Sequence, residues 1–127
     1  MKKSFLSSKI HKATITDSQI DYEGSCAIDI SLLNAAGISV HEKIDIYNIT
    51  NGERFTTYAI KGKAETGNIS INGACCHKAS IGDKIIICTY VDIDSKEIKN
   101  HKPKVIHVDD ENKILDSSTY GNVSLME

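Results

Sequence analysis

The run Tyr22-Glu23-Gly24-Ser25-Cys26 places a serine directly after a glycine. A hydroxyl held in a tight bend can attack the peptide bond on its own N-terminal side. Gly24 adds no Cβ bulk, so its carbonyl can be approached closely and its φ is unrestricted. Addition of the Ser25 hydroxyl to the Gly24 carbonyl would convert amide to ester. Elimination from that ester leaves a dehydroalanine, which hydrolyses to a pyruvoyl group. One inert chain would become two, the second beginning with a ketone electrophile. Gly-Ser is also a common loop dipeptide, so the residues around it must carry the argument.

Short apolar–polar alternations would position this bend. Ile10 to Thr16, Lys43 to Thr50 and Glu53 to Ile60 read as strands, the last two joined at Asn51-Gly52 as a hairpin. Regular alternation in the third sets Phe55, Thr57 and Ala59 on one face and Arg54, Thr56, Tyr58 and Ile60 on the other. Asn68 to Asn72 is a further strand, closed by Asn72-Gly73. Lys84 to Val91 is the most apolar run and reads as a central strand. Lys104 to Val108 follows, then a turn over residues 109–113 toward Ile114-Leu115. Asp29 can cap a short helix over residues 30–36 that ends at Gly37. A second helical turn falls near residues 74–77. The tail 117–127 is polar and expected to be mobile. Many short strands with few helices predict a mainly β fold, barrel or sandwich, in one domain spanning 1–127.

A net charge of −2 and the absence of a basic stripe argue against a dedicated nucleic-acid binder. No run of 18 apolar residues predicts a membrane span. Met1-Lys2-Lys3-Ser4-Phe5-Leu6 opens like a signal peptide, but Ser7, Ser8, Lys9, His11 and Lys12 interrupt it, so a cytoplasmic protein is expected. Cys26, Cys75, Cys76 and Cys88 lack C-x-x-C spacing. Adjacent Cys75-Cys76-His77 is poor zinc geometry, so no metal is expected and the thiols read as reduced.

Several pieces agree in order with one family. They are Lys9-x-His11, the run from Tyr22 to Asp29, Ala35-Ala36-Gly37-Ile38, and the stretch from Tyr47 to Ile60 with its Asn51-Gly52-x-Arg54. Asn72-Gly73-Ala74 and Ala79-Ser80-x-Gly82-Asp83 complete the set. Up to about Val91 the chain resembles the pyruvoyl-dependent aspartate 1-decarboxylases. The resemblance implies a small double-psi β-barrel with one or two short helices. It also implies a homotetramer, with conversion of L-aspartate to β-alanine and CO2 for pantothenate and coenzyme A biosynthesis. The cofactor it implies is a covalent pyruvoyl group made from Ser25, joined to the substrate amine as a Schiff base, with no pyridoxal phosphate. Self-cleavage would give a small chain, 1–24, and a large chain, 25–127.

Residue roles follow from that resemblance, tested against chemistry. Loss of CO2 leaves electrons at Cα, and the ketone from Ser25 is the sink. Arg54 suits a carboxylate through two parallel hydrogen bonds. Lys9 suits the other as a point charge. A tight clamp on the departing carboxylate would stabilise the ground state, which favours the strong clamp on the side-chain carboxylate. Tyr58 is a plausible acid for Cα. The family places Thr57 at the processing and substrate site, although a regular strand points it away from Arg54 and Tyr58. Asn72 can donate to the oxyanion formed on Gly24. Gly73-Ala74-Cys75 offers backbone N–H groups to a carboxylate, and Cys75 stands where many members carry alanine. His11 and Tyr22 are pocket candidates. Separated segments carrying Lys9, Arg54 and Ser25 suggest a pocket completed at a subunit interface, and a maturation helper protein has room in this scheme. The competing reading is a β-barrel module that kept the fold without activity.

Overall fold

In the computed structural model, which describes residues 1–116, nine strands and one helix follow in order. They are β1 Lys2–Thr14, β2 Asp17–Gln19, β3 Ser25–Asp29, α1 Ile30–Ala36, β4 Lys43–Asn48, β5 Arg54–Gly62, β6 Ile69–Asn72, β7 Lys84–Asp94, β8 Lys104–Val108 and β9 Ile114–Leu115. The expected tail 117–127 lies outside the described residues. Strand order is β2-β6-β3-β5-β4-β7-β1-β8-β9. The pairs β1/β8, β2/β6 and β3/β5 are parallel and the others antiparallel. The ladder is not closed, yet its two sides are tied where β1 runs on toward β2. There Ile15 N donates to Asp83 O at 3.0 Å, Gly82 N to Ile15 O at 2.8 Å and Thr16 N to Ile69 O at 2.9 Å. The result is a small, mainly β barrel with short helical pieces.

Isoleucine fills the interior. Ile10, Ile28, Ile44, Ile46, Ile69, Ile71, Ile85 and Ile87 are fully buried, from five different strands. β-Branched side chains are stiff and pack well on a pleated surface, so one residue type serves every strand. The central position of β7 between β4 and β1 agrees with its apolar run.

Three expectations need correction. β1 starts at Lys2 rather than Ile10; Lys2 to Ser4 are exposed and Phe5 to Ser7 only partly buried, so this half shows no apolar alternation. It also carries register shifts between Leu6 and Ser8 and between Ile10 and Ala13. β3 was unread as a strand. It is short and buried on four of its five residues, so it has no period-2 pattern. β7 runs to Asp94, where it pairs with the exposed start of β1.

The helix forms as its caps dictate. Asp29 Oδ1 accepts from Ser31 N at 2.8 Å, and Gly37 takes φ 73° at the C-terminal end. The same buried carboxylate anchors the loop after β5. Its Oδ1 accepts from Glu65 N at 3.0 Å and its Oδ2 from Gly67 N at 2.9 Å, and the Ser31 hydroxyl also donates to it. Burial works to raise the Asp29 carboxyl pKa. The hydrogen bonds from Ser31, Gly67 and Glu65 outweigh it and hold the group below the usual carboxylate range.

Because the folded-state pKa is depressed, Asp29 stabilises the fold above the unfolded carboxylate value of about 4. That contribution is lost as pH falls through the folded value. Asp29→Asn should cost about 1–3 kcal/mol at pH 7, since backbone donors lose a charged acceptor. Urea unfolding from pH 7 to pH 3 should show the two proteins converging at the acid end. A constant gap across that range would contradict this account of the Asp29 network.

Candidate active site

Ser25 opens β3 and Asn72 closes β6, and the antiparallel register sets them opposite each other. Both are buried, at 2% and 3% exposure. Asn72 Nδ2 donates to Ser25 Oγ at 3.0 Å, and Asn72 Oδ1 accepts from the Ser70 hydroxyl at 2.9 Å. The Ser70 bond orients the amide, so its N–H side faces Ser25. In this arrangement Asn72 engages the Ser25 hydroxyl. Ser25 Oγ donates weakly to Glu23 O at 3.4 Å.

Gly73 has φ 73°, and a Cβ there would sit 2.8 Å from Gly24 Cα, 2.9 Å from Gly24 N and 2.9 Å from Tyr22 O. The bend before Ser25 therefore rests directly on the Gly73 backbone, and no other residue fits. Gly24 differs: its φ lies outside the left-handed region, and a Cβ would meet nothing within 4 Å. Glycine at 24 is not imposed by packing. What it gives is an uncluttered carbonyl.

β5 contributes from both faces. Its register with β4 is unbroken, so Thr57 points inward with Phe55 and Ala59. Thr57 reaches the catalytic end without a bend, because Ala59 pairs with Cys26 in the parallel β3/β5 ladder. Continuing that register by two residues sets Thr57 beside Gly24. The Thr57 side chain lies near the Cys75 thiol and works to lower its pKa. Burial pushes the Cys75 thiol up, and pushes Cys26 up far more, so neither is a ready thiolate. Ala74 and Cys75 lie in a 3-10 turn, Gly73–His77, immediately after Asn72.

Tyr58 and Arg54 point outward. Tyr58 is 38% exposed, with the His41 ring centroid 6.4 Å away. Arg54 lies over the Tyr47 ring at 4.8 Å, and Tyr47 shares a 2.8 Å hydrogen bond with Tyr90. That stacking holds the guanidinium without using up its N–H fork. Among the described residues Arg54 and Lys9 have no carboxylate within ion-pair distance. Tyr22 is exposed, and only its carbonyl is placed against the site, at Gly73.

The chain thus brings together Gly24, Ser25, Thr57, Asn72, Gly73, Ala74 and Cys75. Lys9 and His11 lie on β1, four strands from β3 in the sheet order. Arg54 sits at the far end of β5, about 13 Å along the strand from the Tyr58 position beside Ser25. A polar cavity of about 310 Å³ is lined by Ser4, Glu42, Lys43, Asp45, Tyr90 and Asp92. Three carboxylates against one lysine repel a dicarboxylate, so this cavity is not a substrate site. Among the described residues no three His, Cys, Asp or Glu side chains converge as metal ligands would.

Two residues went unread as functional neighbours. Tyr47 faces Arg54 across the β4/β5 hairpin, a pairing that counting back from Asn51-Gly52 would reach. His107 pairs with His11 across parallel strands, which no local pattern announces.

A family model described as aspartate decarboxylase matches residues 1–115, well past Val91. The chain is 51% identical over 114 residues to the aspartate 1-decarboxylase of Ralstonia nicotianae, covering 90% of this chain and 95% of that protein. It is 50% identical over 118 residues to that of Psychromonas ingrahamii, covering 93% and 94%. It is 52% identical over 112 residues to that of Thioalkalivibrio sulfidiphilus, covering 88% and 89%.

Gly73→Ala and Gly82→Ala separate the Gly73–Gly24 contact from backbone strain alone. Both positions have positive φ, but a Cβ at Gly82 meets open space. Each should lose about 1–2 kcal/mol to the left-handed conformation. Gly73→Ala should lose at least ~1 kcal/mol more, from collision with Gly24. Equal losses in thermal unfolding would remove the contact from the account.

Proposed function

The chain belongs to the aspartate decarboxylase family, and on that footing we propose that it is a self-processing, pyruvoyl-dependent enzyme that converts L-aspartate to β-alanine and CO2. The observation that carries the proposal is the buried Asn72-to-Ser25 hydrogen bond, set beside the bend that rests on Gly73. Ser25 Oγ attacks the Gly24 carbonyl carbon, and the Ser25 nitrogen leaves that carbon as the ester forms. Asn72 positions the hydroxyl, and its second amide hydrogen is free for the oxyanion. Thr57 stands ready on the Gly24 side. Elimination across Ser25 Cα–Cβ frees the Gly24 carboxylate. Water then replaces the nitrogen at position 25, with loss of ammonia, and a ketone remains.

The residues present fit that group. Its precursor is buried, hydrogen-bonded and reached from both strand neighbours, as a fixed electrophile requires. When formed, it takes up the substrate amine and draws electrons from Cα as CO2 departs. The rest is work for side chains. Arg54, stacked on Tyr47 with its fork unpaired, clamps the side-chain carboxylate in two parallel hydrogen bonds. Lys9 supplies the second positive charge. Backbone N–H groups of Gly73, Ala74 and Cys75 line the Ser25 side. Tyr58, half exposed at the level of Ser25, returns a proton to Cα.

Lys9, Arg54 and Ser25 lie on three different strands, β1, β5 and β3, with Arg54 at the far end of its strand. That supports a site completed between neighbouring subunits of a homotetramer. Free thiols at all four cysteines, and no helix among the described residues long and apolar enough to cross a membrane, support a cytoplasmic setting. The product would serve pantothenate and coenzyme A biosynthesis, as the family resemblance implies.

Intact mass of the denatured protein tests the processing step. Two pieces split at Gly24/Ser25 are expected from the 127-residue chain, the larger carrying an N-terminal pyruvoyl group. Ser25→Ala should stay whole and inactive. Asn72→Ala should slow cleavage by about 100-fold, the usual loss for one oxyanion-type donor. Fragments from the Ser25→Ala variant would sink the reading.

Co-expression of Lys9→Ala with Ser25→Ala tests the shared site. If neighbouring chains complete one pocket, the mixture regains part of the aspartate decarboxylase activity that each variant lacks alone. A mixture as inactive as its parents means that both residues act from one chain.

A further inference from the structure

β1 and β8 run parallel, in a register that pairs Lys9 with Val105 and His11 with His107. Lys9 and His11 are two residues apart on one strand and share its outer face. The His11 and His107 ring centroids are 5.1 Å apart, tilted by 56°. His11 Nδ1 is buried and has no hydrogen-bond partner among the described residues. A protonated imidazole needs partners for both N–H groups. Charging His11 would therefore strand a buried donor. The partly buried His11 ring thus favours its neutral form, against the His107 ring and two residues along β1 from Lys9. The sheet around this cluster fixes the backbones, but the ring contact fixes the side chains.

We propose that His107 is a positioning residue that acts through His11 on Lys9, the cation offered to a substrate carboxylate. The proposal deepens the functional reading above and rests on it for the role of Lys9. The β8 imidazole packs against the His11 ring and limits its rotation. The His11 ring in turn limits where the flexible lysine can lie. A lysine stem has four rotatable bonds, so a packed neighbour is what turns a mobile charge into a placed one.

Charges of both signs face this pair. Burial, then Lys9, His107 and Lys12, hold His11 below the usual imidazole range, and burial, then Lys9, do the same for His107. The β7 neighbour Cys88, paired with Lys9, has a thiol raised by burial. Leu115 of β9 pairs with His107, which brings Asp116 near it, and Asp109 lies two residues further along the β8 direction. Both shifts favour the uncharged rings. Protonation of either ring in acid adds a second positive charge and costs the packing its fit.

The test compares His107→Ala, which removes the ring, with His107→Phe, which keeps one. All proteins are checked first by mass for the split at Gly24/Ser25. In His107→Ala the KM for L-aspartate should rise about fivefold with kcat within about twofold. The acid limb of kcat/KM should move to higher pH. His107→Phe should restore KM. By NMR, His11 should titrate below the ordinary imidazole value in the unaltered protein, rise in His107→Ala and stay low in His107→Phe. If the alanine variant does not fold, His107→Leu takes its place, filling space without a ring face. Unchanged KM and unchanged His11 titration in the ringless variant overturn the proposal, and so does a phenylalanine variant as impaired as alanine. If the unaltered protein neither splits nor turns over aspartate, the functional reading fails separately, and the His11 titration still decides whether His107 controls that ring.

Discussion

Two backbones touch at Gly24 and Gly73, and the chemistry of this chain depends on that contact. β6 ends at Asn72 and turns at once into a 3-10 turn with Gly73 in the left-handed region. The turn presses against the bend before Ser25 so closely that a methyl group would overlap Gly24. One geometric fact therefore does three things. It shapes the bend, brings the Asn72 amide onto the Ser25 hydroxyl, and keeps both polar side chains buried but paired. A buried polar pair with a fixed partner is rigid, because breaking it exposes unsatisfied groups in a dry place. A hydroxyl that must attack its own chain benefits from that rigidity, since misalignment is the main obstacle to an intramolecular step.

The barrel supplies the frame for this contact. The parallel β3/β5 ladder and the antiparallel β3/β6 ladder grip the short strand from both sides. Asp29, at the end of β3, then anchors the following helix and the loop after β5 with one carboxylate. Ser25 and Asp29 are the two ends of a five-residue strand, one end chemical and the other structural. Strain or motion at the Asp29 end has little length of chain in which to dissipate before it reaches Ser25.

Much of this was legible in sequence, and the parts that were not share a cause. The Gly24-Ser25 bend, the Asp29-capped helix and the β4/β5 hairpin are local, and local residue types announce them. The alternation of β5, with Arg54 and Tyr58 out and Thr57 in, followed from the period of a strand. β3 was hidden because a strand buried on both faces has no alternation. The first half of β1 was hidden for a different reason, its residues being exposed or only partly buried with no alternation. The His11–His107 contact joins residues far apart in the chain through a parallel pairing. Such pairings need a crossover whose register nothing in a single strand specifies. The placing of β1 four strands from β3 was unreadable for the same reason, since strand content does not set strand order.

Under the proposed function, the period of two in β5 divides labour between two reactions. Its inward side carries Thr57 toward Gly24 and the Cys75 turn, where the chain must act on itself. Its outward side carries Tyr58 and Arg54, where a dissolved substrate must be met. Self-processing needs a dry, over-determined setting, and substrate turnover needs access. A single strand between the two provides both without a moving part. Ser25 lies at the boundary, buried while it is a serine, yet level with an exposed Tyr58. Cleavage at Gly24 would free the bend that now rests on Gly73. In that proposed sequence, the bend that aligns the first reaction is the segment whose release would open the site for the second.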